Sequence, residues 1–139
     1  MEEFISSKIK KDALILCHSQ TLKGDLDGLE LKIDFIPSDQ YKYDIIIFDD
    51  IIIDSYKNYL KEGGKMILII DVMTNYNYHP YNCLSNITFG YLKKYEYLED
   101  VYDKLRENDL RIIDSYRLDT YDIIGLAVVK FGIICVSRF

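Results

Sequence analysis

The 139-residue sequence has no tryptophan and two prolines, Pro37 and Pro80. With seven glycines besides, no Pro/Gly/Ser-rich linker divides the chain, and its length suits one domain over residues 1–139. The three cysteines, Cys17, Cys83 and Cys135, share no CxxC spacing. An odd number without a framework points to reduced thiols and a cytoplasmic protein rather than a disulfide scaffold. No apolar run is long enough to span a membrane, and the start, "MEEFISSKIKKD", lacks the apolar core of a secretory signal. Positive charge is scarce too: the net charge is −6 and the pI about 4.9. That excludes a broad basic footprint for nucleic acid. A protein partner with a basic surface, a second copy of the chain, or a small molecule is the more natural ligand.

The chain is rich in tyrosine, with 13. Two readings stand: an AT-rich coding bias, or a binding surface, since tyrosine buries area and keeps a polar handle. Hydrophobic residues at 49% and charged residues at 29% make an ordinary globular mix.

Residues 13–17, "ALILC", read as a short buried strand. Residues 31–36, ending at Pro37, read as a second. "YDIIIFDD" (43–50) is the clearest strand. Its unbroken apolar run Ile45–Phe48 suits a central parallel strand buried on both faces. "DSYKNYLKEGG" (54–64) reads as a short helix, with Tyr56, Tyr59 and Leu60 on one face, capped by Asp54 or Ser55 and stopped at Gly63. "KMILIID" (65–71) is then another buried strand, which makes a right-handed crossover unit. A longer helix is expected from Tyr91 to Asn108, because Leu98, Val101, Tyr102 and Leu105 keep helical spacing. Lys93, Lys94 and Glu96 belong to its solvated face. Strands at 111–118 and 122–131 form an antiparallel hairpin joined near 119–121. The last segment, "GIICVSRF", either extends the final strand past a bulge at Gly132 or forms a short one of its own.

The run "YDIIIFDDIIIDSYKNYLKEGGKMILII" resembles the middle of class I S-adenosylmethionine-dependent methyltransferases. There a strand and helix lead through a Gly-Gly signature, here Leu60-Lys61-Glu62-Gly63-Gly64-Lys65, into the next strand. The resemblance covers residues 30–131. It implies an α/β, three-layer Rossmann-like fold: a mostly parallel sheet with a C-terminal antiparallel hairpin, in a reduced methyltransferase-like topology. Receiver domains share the "YDIIIFDD" pattern, but they need an acidic pair at the end of the first strand, where this chain has Cys17 and His18. The family's first loop is rich in glycine, which lets the cofactor approach the backbone. Here that loop is "CHSQTLKGD", with Gly24 coming late. Too few residues separate the first strand from "YDIIIFDD" for the family's usual helix and two strands, so a helix–strand unit is missing.

The resemblance places Cys17, His18, Ser19 and Asp34 at the cofactor, should one bind, with Asp34 on the ribose hydroxyls. It places Asp49, Asp50 and His79 at the catalytic edge. Asp49 and Asp50 with Asp71 would have the oxygen ligands for Mg²⁺, but no metal is expected. The same acids also suit a helix N-terminus. Tyr76, Tyr78 and Tyr81, in the loop 75–82, are candidates for a substrate or partner surface. No DPPY-type motif follows the central strand. The expectation is a degenerate methyltransferase-like domain, acting as a binding or regulatory subunit with no cofactor. The alternatives are a small active S-adenosylmethionine-dependent methyltransferase with an atypical cofactor loop, or another Rossmann-like binding module.

Overall fold

Apolar runs that no polar residue interrupts become the centre of one sheet. The computed structural model describes residues 12–18, 32–49, 56–73, 96–123 and 126–137. Its strands are β1 (Ile15–His18), β2 (Ile33–Asp34), β3 (Tyr43–Phe48), β4 (Leu60–Met73), β5 (Glu96–Tyr97), β6 (Leu110–Ile123) and β7 (Leu126–Ser137), and its helix is α1 (Leu98–Glu107). The sheet order is β2-β1-β3-β4-β7-β6, with β5 pairing β4 off that path. β1 to β4 run parallel. β7 enters antiparallel between β4 and β6. This is the mixed, mostly parallel sheet with a C-terminal antiparallel hairpin that the sequence implied.

Side chains alternate between two buried faces. Leu16, Ile46, Phe48, Met66 and Leu68 pack with Val101 and Leu105 of α1. Ile15, Ile45, Ile47, Ile67 and Ile69 make the core of the opposite face. Burial on both faces is why the strands read as continuous apolar runs, each buried aliphatic side chain contributing about 1.5–3 kcal/mol.

The shortened front half is closed by a tyrosine. From β2 the chain must pass β1 to start β3, using only residues 35–42. That is shorter than the dozen or more residues a parallel crossover usually takes. The buried Tyr43 hydroxyl spans the link. It accepts the Ser38 amide at 3.1 Å and donates to Asp34 Oδ2 at 2.6 Å. Among the described residues no strand lies beyond β2, in keeping with the missing helix–strand unit.

Three expectations need correction. The helix expected over 54–64 is, within the described residues, a 3-10 turn at Lys57–Tyr59, and residues 51–55 lie outside them. Leu60 already pairs with Tyr43, and Lys65 with Ile45. Residues 61–64 therefore form an irregularity inside β4, and Gly63 serves it with a φ of 71° rather than ending a helix. Pairing with β3 overrode the local helical spacing.

The helix α1 is shorter than expected. Residues 96 and 97 are extended against Val72 and Met73, and 91–95 lie outside the described residues. The left-handed Asp109, φ 58°, ends the helix after Asn108, whose Nδ2 donates to the Lys104 carbonyl at 2.9 Å.

The hairpin is also longer than expected. Thr120 and Tyr121 pair with Val129 and Val128 rather than turning, and Gly132 is an ordinary ladder residue. The register breaks fall on β6 instead, between Ile112 and Asp114 and between Arg117 and Asp119. β7 is held by ladders on both sides, whereas β6 lies at an edge and can bend.

Candidate functional site

The chain goes from β1 to β2 on one side and then to β3 on the other. The order of strands reverses between β1 and β3, and ligands of open α/β sheets bind outside the carboxyl ends at such a point. His18 ends β1, opposite Phe48 at the end of β3, and both His18 and the next residue after β3, Asp49, are exposed. Tyr56, just before the 3-10 turn, brings its ring to 4.4 Å from the His18 ring, tilted by 38°. Its partly buried side also packs on the core below. The pair therefore sets two aromatic rings, one of them anchored on the core, at the carboxyl end of β1.

Cys17 and His18 point to opposite faces, as neighbours on a strand do. Cys17 is 1% exposed and packs with the isoleucines of the second core. His18 is thus the member of the expected cluster that stands at the surface, and Ser19 lies outside the described residues.

Asp34 ends β2 at the level of Leu16. Its Oδ2 accepts hydrogen bonds from both the Tyr41 and Tyr43 hydroxyls. Those bonds, Tyr41 first, hold the carboxyl below its ordinary value, because they favour the charged form. The Tyr41 phenol is pushed up chiefly by the same bond. For Tyr43 burial is the larger cause and the bond to Asp34 the second. The tyrosines meet edge to face at 5.3 Å. Asp34 was expected here; its two tyrosines were not. The available signal was "YKYD", with tyrosines two apart where a link too short to close unaided runs into β3.

Of the catalytic candidates, Asp49 is at the crevice, and Asp50 and His79 lie outside the described residues, as do Tyr76, Tyr78 and Tyr81. Asp71 sits further along β4, in register with Lys130 of β7. Among the described residues no three His, Cys, Asp or Glu side chains gather to hold a metal, and no helix is long and apolar enough to cross a membrane.

A concavity lies at the opposite, amino-terminal ends of the strands. This cleft of about 360 Å³ is lined by Asp12, Asp44, Lys61, Glu62 and Lys65 around Gly63 and Gly64. Lys61 Nζ meets Asp44 Oδ1 at 3.0 Å, and Asp44 Oδ2 accepts the Leu14 amide at 2.9 Å.

No family model matches the sequence, and no curated protein matches it. Solved structures do. An S-adenosylmethionine-dependent methyltransferase of Methanosarcina mazei aligns over 96% of this chain and 96% of its own, with 15% identity and a TM-score of 0.61. The geranyl diphosphate C-methyltransferase of Streptomyces coelicolor, bound to Mg²⁺, geranyl diphosphate and S-adenosyl-L-homocysteine, aligns over 97% of this chain and 78% of its own, with 8% identity and a TM-score of 0.63. The magnesium protoporphyrin IX methyltransferase of Synechocystis, with bound S-adenosylhomocysteine, aligns over 98% of this chain and 78% of its own, with 11% identity and a TM-score of 0.55. The chain has a class I methyltransferase-like fold. The expectation of a domain without a cofactor is corrected by these neighbours: two of the three hold S-adenosylhomocysteine and the third depends on S-adenosylmethionine. An absent glycine loop and a missing helix–strand unit were too narrow a ground for that expectation, because the rest of the sheet keeps its strand order.

Proposed function

We propose that the chain is a small S-adenosylmethionine-dependent methyltransferase with an atypical cofactor loop. The observation that carries this reading is the strand order. A parallel β2-β1-β3-β4 sheet is completed by β7 inserted antiparallel before β6, an order that sets the crevice between β1 and β3. That the similar structures of this fold are S-adenosylmethionine-dependent or hold S-adenosylhomocysteine supports the active reading over that of a binding or regulatory subunit.

The residues present fit such a cofactor. Asp34 stands beside β1 as an ionised carboxylate, with Oδ2 committed to two phenols. Its Oδ1 remains to accept from a ribose hydroxyl, and fixing the carboxylate in advance lowers the ordering cost of binding. His18 and Tyr56 supply an apolar surface in place of the close backbone approach that glycines would allow. When bound, S-adenosylmethionine supplies an electrophilic methyl group. Asp49, exposed at the end of β3, is the described carboxylate placed to take a proton from a methyl acceptor. Positioning of the two reactants does most of the remaining work. The tyrosine-rich segment 75–82 is proposed as the acceptor or partner surface.

Calorimetric titration of the full chain with S-adenosylhomocysteine and S-adenosylmethionine tests the reading. Micromolar binding is expected. A folded sample that stays silent up to millimolar ligand would overturn it.

A further inference from the structure

Both ends of the sheet carry acids, and they differ in how close the described cations stand to them. Along the carboxyl ends of β1 to β4 the described acids are Asp34, Asp49 and Asp71. Among the described residues the cation nearest in register, Lys130, stands in the ladder between Asp71 and Asp119, two strands away from the switch point. At the other end Lys61 and Lys65 line the cleft together with Asp12, Asp44 and Glu62. Acidic side chains beside a ligand favour a cation over a phosphate. At the carboxyl ends, the described aromatic surface is the His18–Tyr56 pair, with ring centroids 4.4 Å apart. Aromatic faces attract cations through the ring quadrupole, tyrosine among the better ones.

We infer that the His18–Tyr56 pair reads the positive charge of the methyl donor, with Tyr56 as the sulfonium-facing ring and His18 as the residue that sets its tilt. This rests on the methyltransferase reading above. It deepens that reading by assigning charge selectivity to a contact that replaces the glycine loop. The donor's sulfonium is cationic, and the product's thioether is neutral. The pair thus strengthens binding before transfer and relaxes afterwards, which favours release of product.

The test compares the affinities of S-adenosylmethionine and S-adenosylhomocysteine by calorimetry in wild type, Tyr56→Leu, Tyr56→Phe and His18→Ala. Tyr56→Leu is expected to weaken the donor roughly three- to tenfold more than the product. Tyr56→Phe, which keeps the ring, holds the wild-type ratio within about twofold. His18→Ala, at an exposed position, lowers the ratio in the same direction by about twofold, and it keeps the test decisive should Tyr56→Leu fail to fold. If wild type binds both ligands and the ratio is unmoved in Tyr56→Leu and His18→Ala, the inference is wrong while the methyltransferase reading stands. If wild type binds neither ligand, both fall.

Discussion

The two ends of the same parallel strands have been put to different uses. At the amino-terminal ends, charge is settled locally. Asp44 takes the Leu14 amide and Lys61, and Lys57 reaches Asp109 at 3.6 Å, tying the 3-10 turn to the start of β6. At the carboxyl ends stand Asp49 and His18 against Tyr56, with Asp34 ending β2 and held from below by Tyr41 and by Tyr43 at the start of β3. Both ends rest on one core, so a cleft by itself does not mark the functional end. The strand reversal and the kind of side chain do. The difference implies a separation of effects: substitutions at the carboxyl ends change ligand affinity, and those at the amino ends change stability.

The strongest break of that comparison is Asp34→Asn. Removing the charge from a carboxylate that would accept a ribose hydroxyl costs about 1.5–3 kcal/mol, or roughly ten- to a hundredfold in affinity for S-adenosylhomocysteine, read by calorimetry. Stability in urea is expected to fall by less than about 1 kcal/mol, since an amide oxygen still accepts from a tyrosine. Equal binding by the variant would remove Asp34 from the site. The converse is Gly64→Ala. A Cβ there would meet Leu60 Cδ1 at 2.6 Å and the Lys61 carbonyl oxygen at 2.9 Å, and Leu60 is fully buried. Overpacking of this kind costs about 1–3 kcal/mol, visible as a lower urea midpoint, with ligand affinity unchanged in the folded protein. A matching loss of affinity would show that the two ends are not separable.

How far the sequence disclosed this arrangement differs along the chain. The centre of the sheet was legible because burial on both faces leaves a compositional mark, Ile45–Phe48 and Met66–Ile69, that no loop imitates. Asp34 and His18 were legible as candidates because strand ends in an α/β protein are predictable once the strands are. The 54–64 segment was not. Its tyrosines and Leu60 sit at helical spacing, yet Leu60 and Lys65 are claimed by ladders with Tyr43 and Ile45, contacts invisible to local pattern. Tyr43 was read as a strand residue and not as the pillar of a short crossover, because that role depends on which strands lie side by side. Tyr56 was assigned to a helix face for the same reason, and its partner His18 is distant in sequence.

Smaller effects sharpen the amino-terminal side. Lys61→Met removes one exposed ion pair with Asp44, worth no more than about 1 kcal/mol, and leaves ligand binding untouched. The screening of such a pair by salt gives a second readout: the wild-type advantage over Lys61→Met should shrink as ionic strength rises. Persistence of the full difference in high salt would mean that packing of the lysine stem, and not charge, was being measured.

The smallest effect is the acid limb of stability. The Asp44 carboxyl lies below its ordinary value of 3.8, first because it accepts the Leu14 amide and second because of Lys61. A carboxylate with a lowered folded value binds fewer protons folded than unfolded. Its contribution is therefore complete above about pH 4 and is lost as the pH falls through the lower folded value. Asp34 is lowered in the same direction by its tyrosines. Asp44→Asn should thus flatten, without abolishing, the fall in unfolding free energy below pH 4, measured by urea titrations at successive pH values. The remaining slope should shrink again in the double variant with Asp34→Asn. A wild-type slope in Asp44→Asn would place the acid sensitivity elsewhere, and a slope removed entirely by Asp44→Asn would mean that the tyrosines leave Asp34 as it is in the unfolded chain.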